Sequence, residues 1–226
     1  MPAQSDLAYR AVLDTSEGVI LSFVHPQHAD TVEFITLVPK DTLDQEDEEV
    51  AINTMVSELG QGLATGTYSR VWSLTVRGPL VPALTAESWR MLFDYFADIS
   101  QLVVDCWDEC PYNLFLALKP QGSEYSAPLQ RLDDLRILAR WSDRMEKQLN
   151  EALDGRRDHA GIAHILLNLT ELPRSYSLAQ ARDPKEVERH RRRLHDSGGA
   201  IQISLWPANE QYLTARRGQL EGFVII

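Results

Sequence analysis

The stretch at residues 100–120, SQLVVDCWDECPYNLFLALKP, contains two apolar runs separated by a short polar turn. The first run extends from Leu102 to Trp107, the second from Leu114 to Leu118, and Pro111 lies in the turn between them. Short runs rich in Val, Phe and Trp and bounded by turn residues are typical of strands. Both faces of each run are apolar, as expected for inner strands covered by helices. We therefore predict a hairpin here, at the centre of a sheet.

Three further strands are predicted upstream by alternating apolar residues. Residues 8–13 and 19–24 flank the turn DTSEG and predict a first hairpin, and residues 31–38 predict a third strand that ends at Pro39. Residues 68–77 alternate again and predict a strand with one face exposed. The first half of the chain is therefore expected to be rich in sheet.

Two helices are predicted between these strands. The first covers about residues 44–60, where a strongly acidic start precedes apolar residues at helical spacing. The second follows Thr85, a good N-cap, and carries an apolar stripe at i, i+3, i+4 and i+7, formed by Trp89, Leu92, Phe93 and Phe96. Such an aromatic stripe is typical of a helix packed on the core.

The second half of the chain has a more helical pattern. Apolar residues repeat at intervals of three or four over 138–153 and again over 162–169, and Asp183 with Pro184 predicts the start of a third helix that ends near His195. Ile201, Ile203 and Leu205 predict a strand, and the apolar residues 223–226 predict another.

Together these patterns predict an α+β fold. We expect a mixed, mainly antiparallel sheet of about six strands with covering helices, and a helical C-terminal portion that returns one or two strands. Residues 121–128 are rich in Gly, Ser and Pro and are the best candidate linker. The expected division is a sheet-rich acidic portion at 1–120 and a helical portion at 129–226, which could also form one continuous domain.

The net charge of −11 is distributed unevenly along the chain. Residues 1–130 carry 6 basic and 19 acidic residues, and residues 131–226 carry 16 and 14. The sequence shows no secretory signal and no apolar run near the roughly 18 residues of a membrane span. With 2 cysteines in 226 residues, a disulfide framework is not expected, and a cytoplasmic location is predicted.

No motif in the sequence points to a catalytic or cofactor site. Cys106 and Cys110 match neither a zinc site nor a redox pair, and the histidines at 159 and 164, and at 190 and 195, have a spacing that places them on different helix faces. We therefore predict no catalytic residues, no metal ligands and no cofactor.

Two charged segments are the candidate partner-binding residues. Six of the ten residues at 41–50 are acidic, and a basic run occupies 189–193. The predicted residues are Asp44, Glu46, Asp47, Glu48, Glu49, Arg189, Arg191, Arg192 and Arg193. Acidic patches steer basic partners, and arginine suits bidentate contact with carboxylate or phosphate.

The sequence thus favours a non-enzymatic cytoplasmic protein that binds another protein or its own subunits, such as an acidic inhibitor, an immunity-type protein or an assembly subunit. One alternative is a nucleic-acid-associated accessory subunit that uses the arginine helix at 189–193. Another is a hydrolase whose site is assembled from distant residues. A membrane partner is not expected.

Overall fold

The computed structural model describes residues 9–16, 19–24, 31–36, 45–63, 71–106, 109–121, 127–140, 142–156, 161–169 and 200–205. These residues form one mixed sheet and a layer of helices. The strands are β1 (Tyr9–Asp14), β2 (Val19–Val24), β3 (Thr31–Thr36), β4 (Val71–Arg77), β5 (Gln101–Asp105), β6 (Asp134–Ala139), β7 (His164–Leu169) and β8 (Ala200–Leu205). The helices are α1 (Gln45–Leu63), α2 (Ala86–Tyr95), α3 (Tyr112–Leu118) and α4 (Asp143–Arg156), and a short 3-10 turn covers Val81–Ala83.

The strand order in the sheet is β3-β2-β1-β4-β5-β6-β7-β8. β1 pairs antiparallel with β2, and β2 with β3. The pairs from β1–β4 through β7–β8 are parallel. The predicted α+β class and mixed sheet are confirmed, and the described residues contain eight strands. Five of their seven pairings are parallel, however, where a mainly antiparallel sheet was expected.

The parallel half of the sheet arises because a helix follows each of several strands. Parallel neighbours require a crossover connection, and such crossovers are right-handed as a rule. From β1 through β4, β5 and β6 to β7, each strand lies beside the previous one in the same direction across the sheet. The connecting helices α1 to α4 therefore lie on one face. There each helix contacts the next one along the chain. Residues 127–140 continue into β6 of the same sheet, and the two-domain division remains a prediction.

The core lies between this helix layer and the sheet. Leu13, Leu74, Leu102 and Ile137 are fully buried on four adjacent strands, and Trp89 and Phe93 of α2 pack against this face. The predicted stripe of α2 is therefore confirmed as core. Its predicted N-cap is confirmed as well, because Thr85 Oγ1 accepts a hydrogen bond of 3.1 Å from Ser88 N.

The first hairpin, β3, β4, β8 and the acidic helix lie where the sequence predicted them. Three other predictions were wrong. The run at 114–118 belongs to helix α3 rather than to the second strand of a hairpin. The helix predicted over 138–153 is confirmed only from Asp143 onward, because residues 138 and 139 end strand β6, and residues 164–169 form strand β7, where a helix was expected over 162–169. The predicted helix at 183–195 and the C-terminal strand at 223–226 lie outside the described residues.

Candidate functional site

Helix α1 contains most of the acidic residues that the sequence singled out. It begins at Gln45, so Glu46, Asp47, Glu48 and Glu49 occupy its first turns. Negative charge is favourable at this end of a helix because the helix dipole leaves it partly positive. Asp44 and the four predicted arginines, Arg189, Arg191, Arg192 and Arg193, lie outside the described residues.

The outer face of α1 combines carboxylates with an exposed apolar side chain. Ile52 and Val56 are fully buried on the inner face. On the rest of the helix surface Glu49, Val50 and Glu58 are exposed, and Val50, roughly opposite the buried residues, is 66% exposed. Among the described residues, Val50 and Leu116 are the large apolar side chains that remain exposed.

Asn53 fixes the orientation of this face. Its Nδ2 donates hydrogen bonds to the carbonyl oxygens of Glu49 and Ala83, at 2.7 and 3.1 Å. Its Oδ1 accepts from Thr85 N at 3.0 Å and from Ser88 Oγ at 2.5 Å. One side chain therefore joins α1 to the 3-10 turn and to the N-terminus of α2. The acidic face is held on a rigid part of the fold.

The carboxyl ends of the parallel strands were inspected as a second candidate site, because ligands of open α/β sheets bind at this edge. Thr15 follows β1, and its buried hydroxyl donates to the Arg77 carbonyl and accepts from Leu80 N, both at 3.2 Å. Gly78 follows β4 with φ of +116°, and its N–H donates to Asp105 O at 3.1 Å. The loops after β1 and β4 are thus closed on each other by their own hydrogen bonds.

Both cysteines lie after β5 at the same edge. Cys106 and Cys110 are buried, and neither forms a disulfide. Burial raises the pKa of Cys110 to about 12, against smaller opposing effects of its hydrogen bond with Tyr112 and of the Arg144 charge. A thiol with such a pKa carries almost no thiolate at neutral pH, so Cys110 is a poor nucleophile and metal ligand.

Next to these cysteines, Tyr112, Ser142 and Arg144 form a small polar cluster. The Tyr112 hydroxyl lies 3.0 Å from Ser142 Oγ, and the Arg144 guanidinium lies 4.3 Å from the centre of the Tyr112 ring. Ser142 Oγ also accepts from Met145 N at 3.1 Å, so it caps the start of α4. These contacts connect α3 to α4. The polar groups of Tyr112, Ser142 and Arg144 thus have partners within the protein and give no indication of a bound ligand.

A polar row crosses the sheet face opposite the helices. Ser73 Oγ donates to Gln101 Oε1 at 2.9 Å, and Gln101 Nε2 donates to Asp134 Oδ2 at 2.8 Å. Arg136 on the same strand forms a 2.7 Å ion pair with Asp134. The row joins β4, β5 and β6 near their first residues, so its hydrogen bonds fix the register of these strands.

Within the described ranges, no group of three or more His, Cys, Asp or Glu side chains is arranged to hold a metal ion. A search of the same residues finds no helix with the length and apolar character of a membrane span.

Sequence reasoning missed several residues that organise these regions. Asn53 lies in a helix interior, where Asn is disfavoured, and this is a signal that it has a specific role. Ser142 stands directly before a helix and could have been recognised as its N-cap. Thr15 and Arg156 gave no local signal, because their partners are 27 to 65 residues away in the chain.

No protein-family model, no curated protein and no solved structure matches this chain.

Proposed function

We propose that this is a non-enzymatic binding or regulatory protein that docks a basic partner protein on the outer face of α1. The observation that carries the proposal is the rigid display of Glu49 and Val50 on a helix that Asn53 ties to α2. A surface that is already ordered loses less conformational entropy on binding. The structure of α1 therefore supports recognition more directly than the acidic composition does.

The chemistry of this face defines the partner class. Carboxylates attract lysine and arginine side chains and accelerate association at low ionic strength. Val50 adds an apolar contact, which is less sensitive to salt and contributes to the lifetime of a complex. We expect a partner whose binding surface carries basic residues around an apolar depression.

The cysteines at the carboxyl edge are poor candidates for thiol catalysis. Cys106 is 1% exposed and Cys110 is 8% exposed, and burial raises the pKa of the latter to about 12. Catalytic cysteines instead combine accessibility with a lowered pKa.

Site-specific photocrosslinking in the source cells tests the proposal. A photoreactive amino acid replaces Val50, and a matched chain carries it at Gln130, an exposed position in the turn before β6. We expect crosslinks to one discrete basic protein from position 50 and not from position 130. The partner is then purified for binding measurements, because a crosslink by itself does not establish a specific complex.

The binding measurement uses the triple variant D47N/E48Q/E49Q. We expect the association rate of the purified partner to fall at least tenfold, and the wild-type rate to decrease as salt rises. Equal crosslinking at both positions, or an association rate that neither salt nor the triple variant changes, would refute the proposal.

A further inference from the structure

Arg156, the last residue of α4, is completely buried. Its guanidinium donates from Nη1 to the carbonyl oxygen of Pro128 and from Nη2 to that of Leu129, the latter at 2.9 Å. Among the described residues, its Nε finds no hydrogen-bond acceptor. Burial lowers the pKa of Arg156 to about 10, and no carboxylate of the described residues opposes this effect. A buried cation neutralised only by carbonyl dipoles is costly to keep in the folded state.

The segment that Arg156 holds, residues 127–132, is called the clasp below. Leu129 has φ of +51°, and it is the non-glycine residue with positive φ among those described. Leu129 and Leu132 are 4% and 2% exposed, so the clasp buries two leucines against the core. A left-handed conformation is unfavourable for leucine and is maintained only by the surrounding contacts. Backbone strain at Leu129 therefore disfavours the closed clasp, in addition to the burial of the Arg156 charge.

The clasp leads directly into β6. The N–H groups of Asp133 and Asp134 donate to Ser100 O at 2.9 and 3.0 Å, and Leu132 N donates to Leu129 O at 3.0 Å. Asp134 is the first residue of β6 and accepts the hydrogen bond from Gln101. Movement of the clasp would therefore reach the start of β6 and the polar row on the opposite face of the sheet.

We propose that the clasp is a conformational switch that opens locally, without unfolding of the protein, and that Arg156 is its latch. Opening hydrates the guanidinium and releases Leu129 from its left-handed conformation, so two costs of the closed state disappear. Two buried leucines and two hydrogen bonds favour closure. Because these opposing terms largely cancel, the open state is a minor conformation close in free energy to the closed one. This property is independent of the acidic face of α1.

Native-state hydrogen exchange of the full chain tests the proposal. In the wild type, we expect the hydrogen-bonded amides of residues 132–134, called the clasp amides, to exchange at least about 100-fold faster than the amide of Leu149 in the middle of α4. The variant R156M keeps an apolar stem of similar length and removes the latch. In R156M the carbonyl oxygens of Pro128 and Leu129 lose their donors, and this loss outweighs the relief from burying a charge. Exchange of the clasp amides should therefore accelerate by a further factor of about 10, and the exchange of Leu149 should stay unchanged.

The control is R131M, the same substitution within the clasp. The Arg131 side chain is 72% exposed and pairs with Asp98 at the surface, so its replacement should leave the exchange of the clasp amides as in the wild type. A second latch variant, R156K, retains the charge but not the two-pronged geometry, and should accelerate clasp exchange as R156M does.

The proposal is overturned if the clasp amides of the wild type exchange at the rate of Leu149, because they would then open only with global unfolding. It is also overturned if R156M accelerates exchange equally throughout the chain. If R156M does not fold, the wild-type comparison and R156K decide the outcome.

Discussion

Gly78 and Thr15 follow two neighbouring parallel strands, and the backbone of Gly78 lies so close to Thr15 that a side chain at 78 cannot be accommodated. An added Cβ would lie 2.9 Å from the Thr15 carbonyl carbon and closer still to Thr15 Oγ1. The φ of +116° at Gly78 is unfavourable for any other residue. The loops after β1 and β4 can therefore close on each other only with glycine at this position.

The first prediction is that G78A destabilises the protein by roughly 2 to 4 kcal/mol, from steric overlap and backbone strain together. Urea unfolding monitored by tryptophan fluorescence gives the value. The substitution G78A is also made in a T15A protein, where the hydroxyl is absent from the contact but the backbone strain remains. There G78A should lower the free energy of unfolding by less than it does in the wild type. A G78A protein as stable as the wild type would show that this loop contact is not required.

The second prediction concerns the tie between α1 and α2. Replacing Asn53 with Ala removes four hydrogen bonds and leaves Thr85 N and the Ala83 carbonyl without this partner. We expect a loss of about 2 to 3 kcal/mol in the free energy of unfolding.

The matched control for N53A is T54A on the next residue of α1. Thr54 is exposed, and its Oγ1 bonds to the Val50 carbonyl of the preceding turn. We expect T54A to change stability by less than about 0.5 kcal/mol. If N53A and T54A lowered the free energy of unfolding by similar amounts, the hydrogen bonds of Asn53 would contribute no more to stability than those of an ordinary surface residue.

The third prediction is a pH dependence from Asp14. Burial alone would raise the pKa of Asp14, but hydrogen bonds from Ser16 and the hydrogen bond and charge of Arg77 outweigh it and hold the pKa below 3.8. The Arg77 Nε lies 2.6 Å from Asp14 Oδ2. Because the pKa is lower in the folded state, Asp14 stabilises the fold above about pH 4, and this contribution is lost as the pH falls through the folded pKa.

Carboxyl carbon-13 NMR titration of Asp14 checks this expectation. R77M should raise the pKa of Asp14 relative to the wild type, and R131M, at a remote surface pair, should leave it unchanged. The prediction would be wrong if Asp14 titrated at or above 3.8 in the wild type, or if R77M left its pKa where it is.

The parts of the fold that the sequence predicted are those with a clear local period. β1 and β2 alternate and flank a turn, and α2 has both an N-cap and an apolar stripe. Helix α3 lacks such a signal, because an apolar run as short as 114–118 fits a strand or a helix. Leu138 lies in strand β6 but was included in the predicted helix, because it continues the apolar spacing of α4 toward its N-terminal side. Parallel pairing of β4 to β8 depends on contacts between distant residues, and one sequence does not show them.

The candidate site divides in the same way. The acidic start of α1 depends on adjacent residues and could be predicted with its helix. Asn53 acquires its role from Ala83, Thr85 and Ser88, which lie 30 to 35 residues further along the chain. The latch Arg156 depends on carbonyl groups of Pro128 and Leu129, and backbone carbonyls have no sequence signature. Long-range polar contacts of this kind are visible only in the folded protein.

The last prediction concerns the Cys110 thiol. Burial raises its pKa in the folded state to about 12 from a usual value of 9.0, and in the unfolded chain it ionises near the usual value. The contribution of the neutral thiol to stability is therefore complete below about pH 9 and is lost progressively as the pH rises toward 12. Between pH 9 and pH 10 the free energy of unfolding of the wild type should fall by roughly 1 kcal/mol more than that of C110A. The C110A protein is less stable than the wild type at neutral pH because the substitution leaves a small cavity. Urea unfolding at pH 7, 9 and 10 measures this difference between the two proteins, in which the contributions of the other titrating groups cancel.

A thiol reagent should also label both cysteines rapidly in urea and slowly in the native protein. The stability of the wild type and of C110A could instead change equally with pH, or Cys110 could be labelled rapidly in the native protein. Either result would show that the thiol is more accessible than its exposure of 8% indicates.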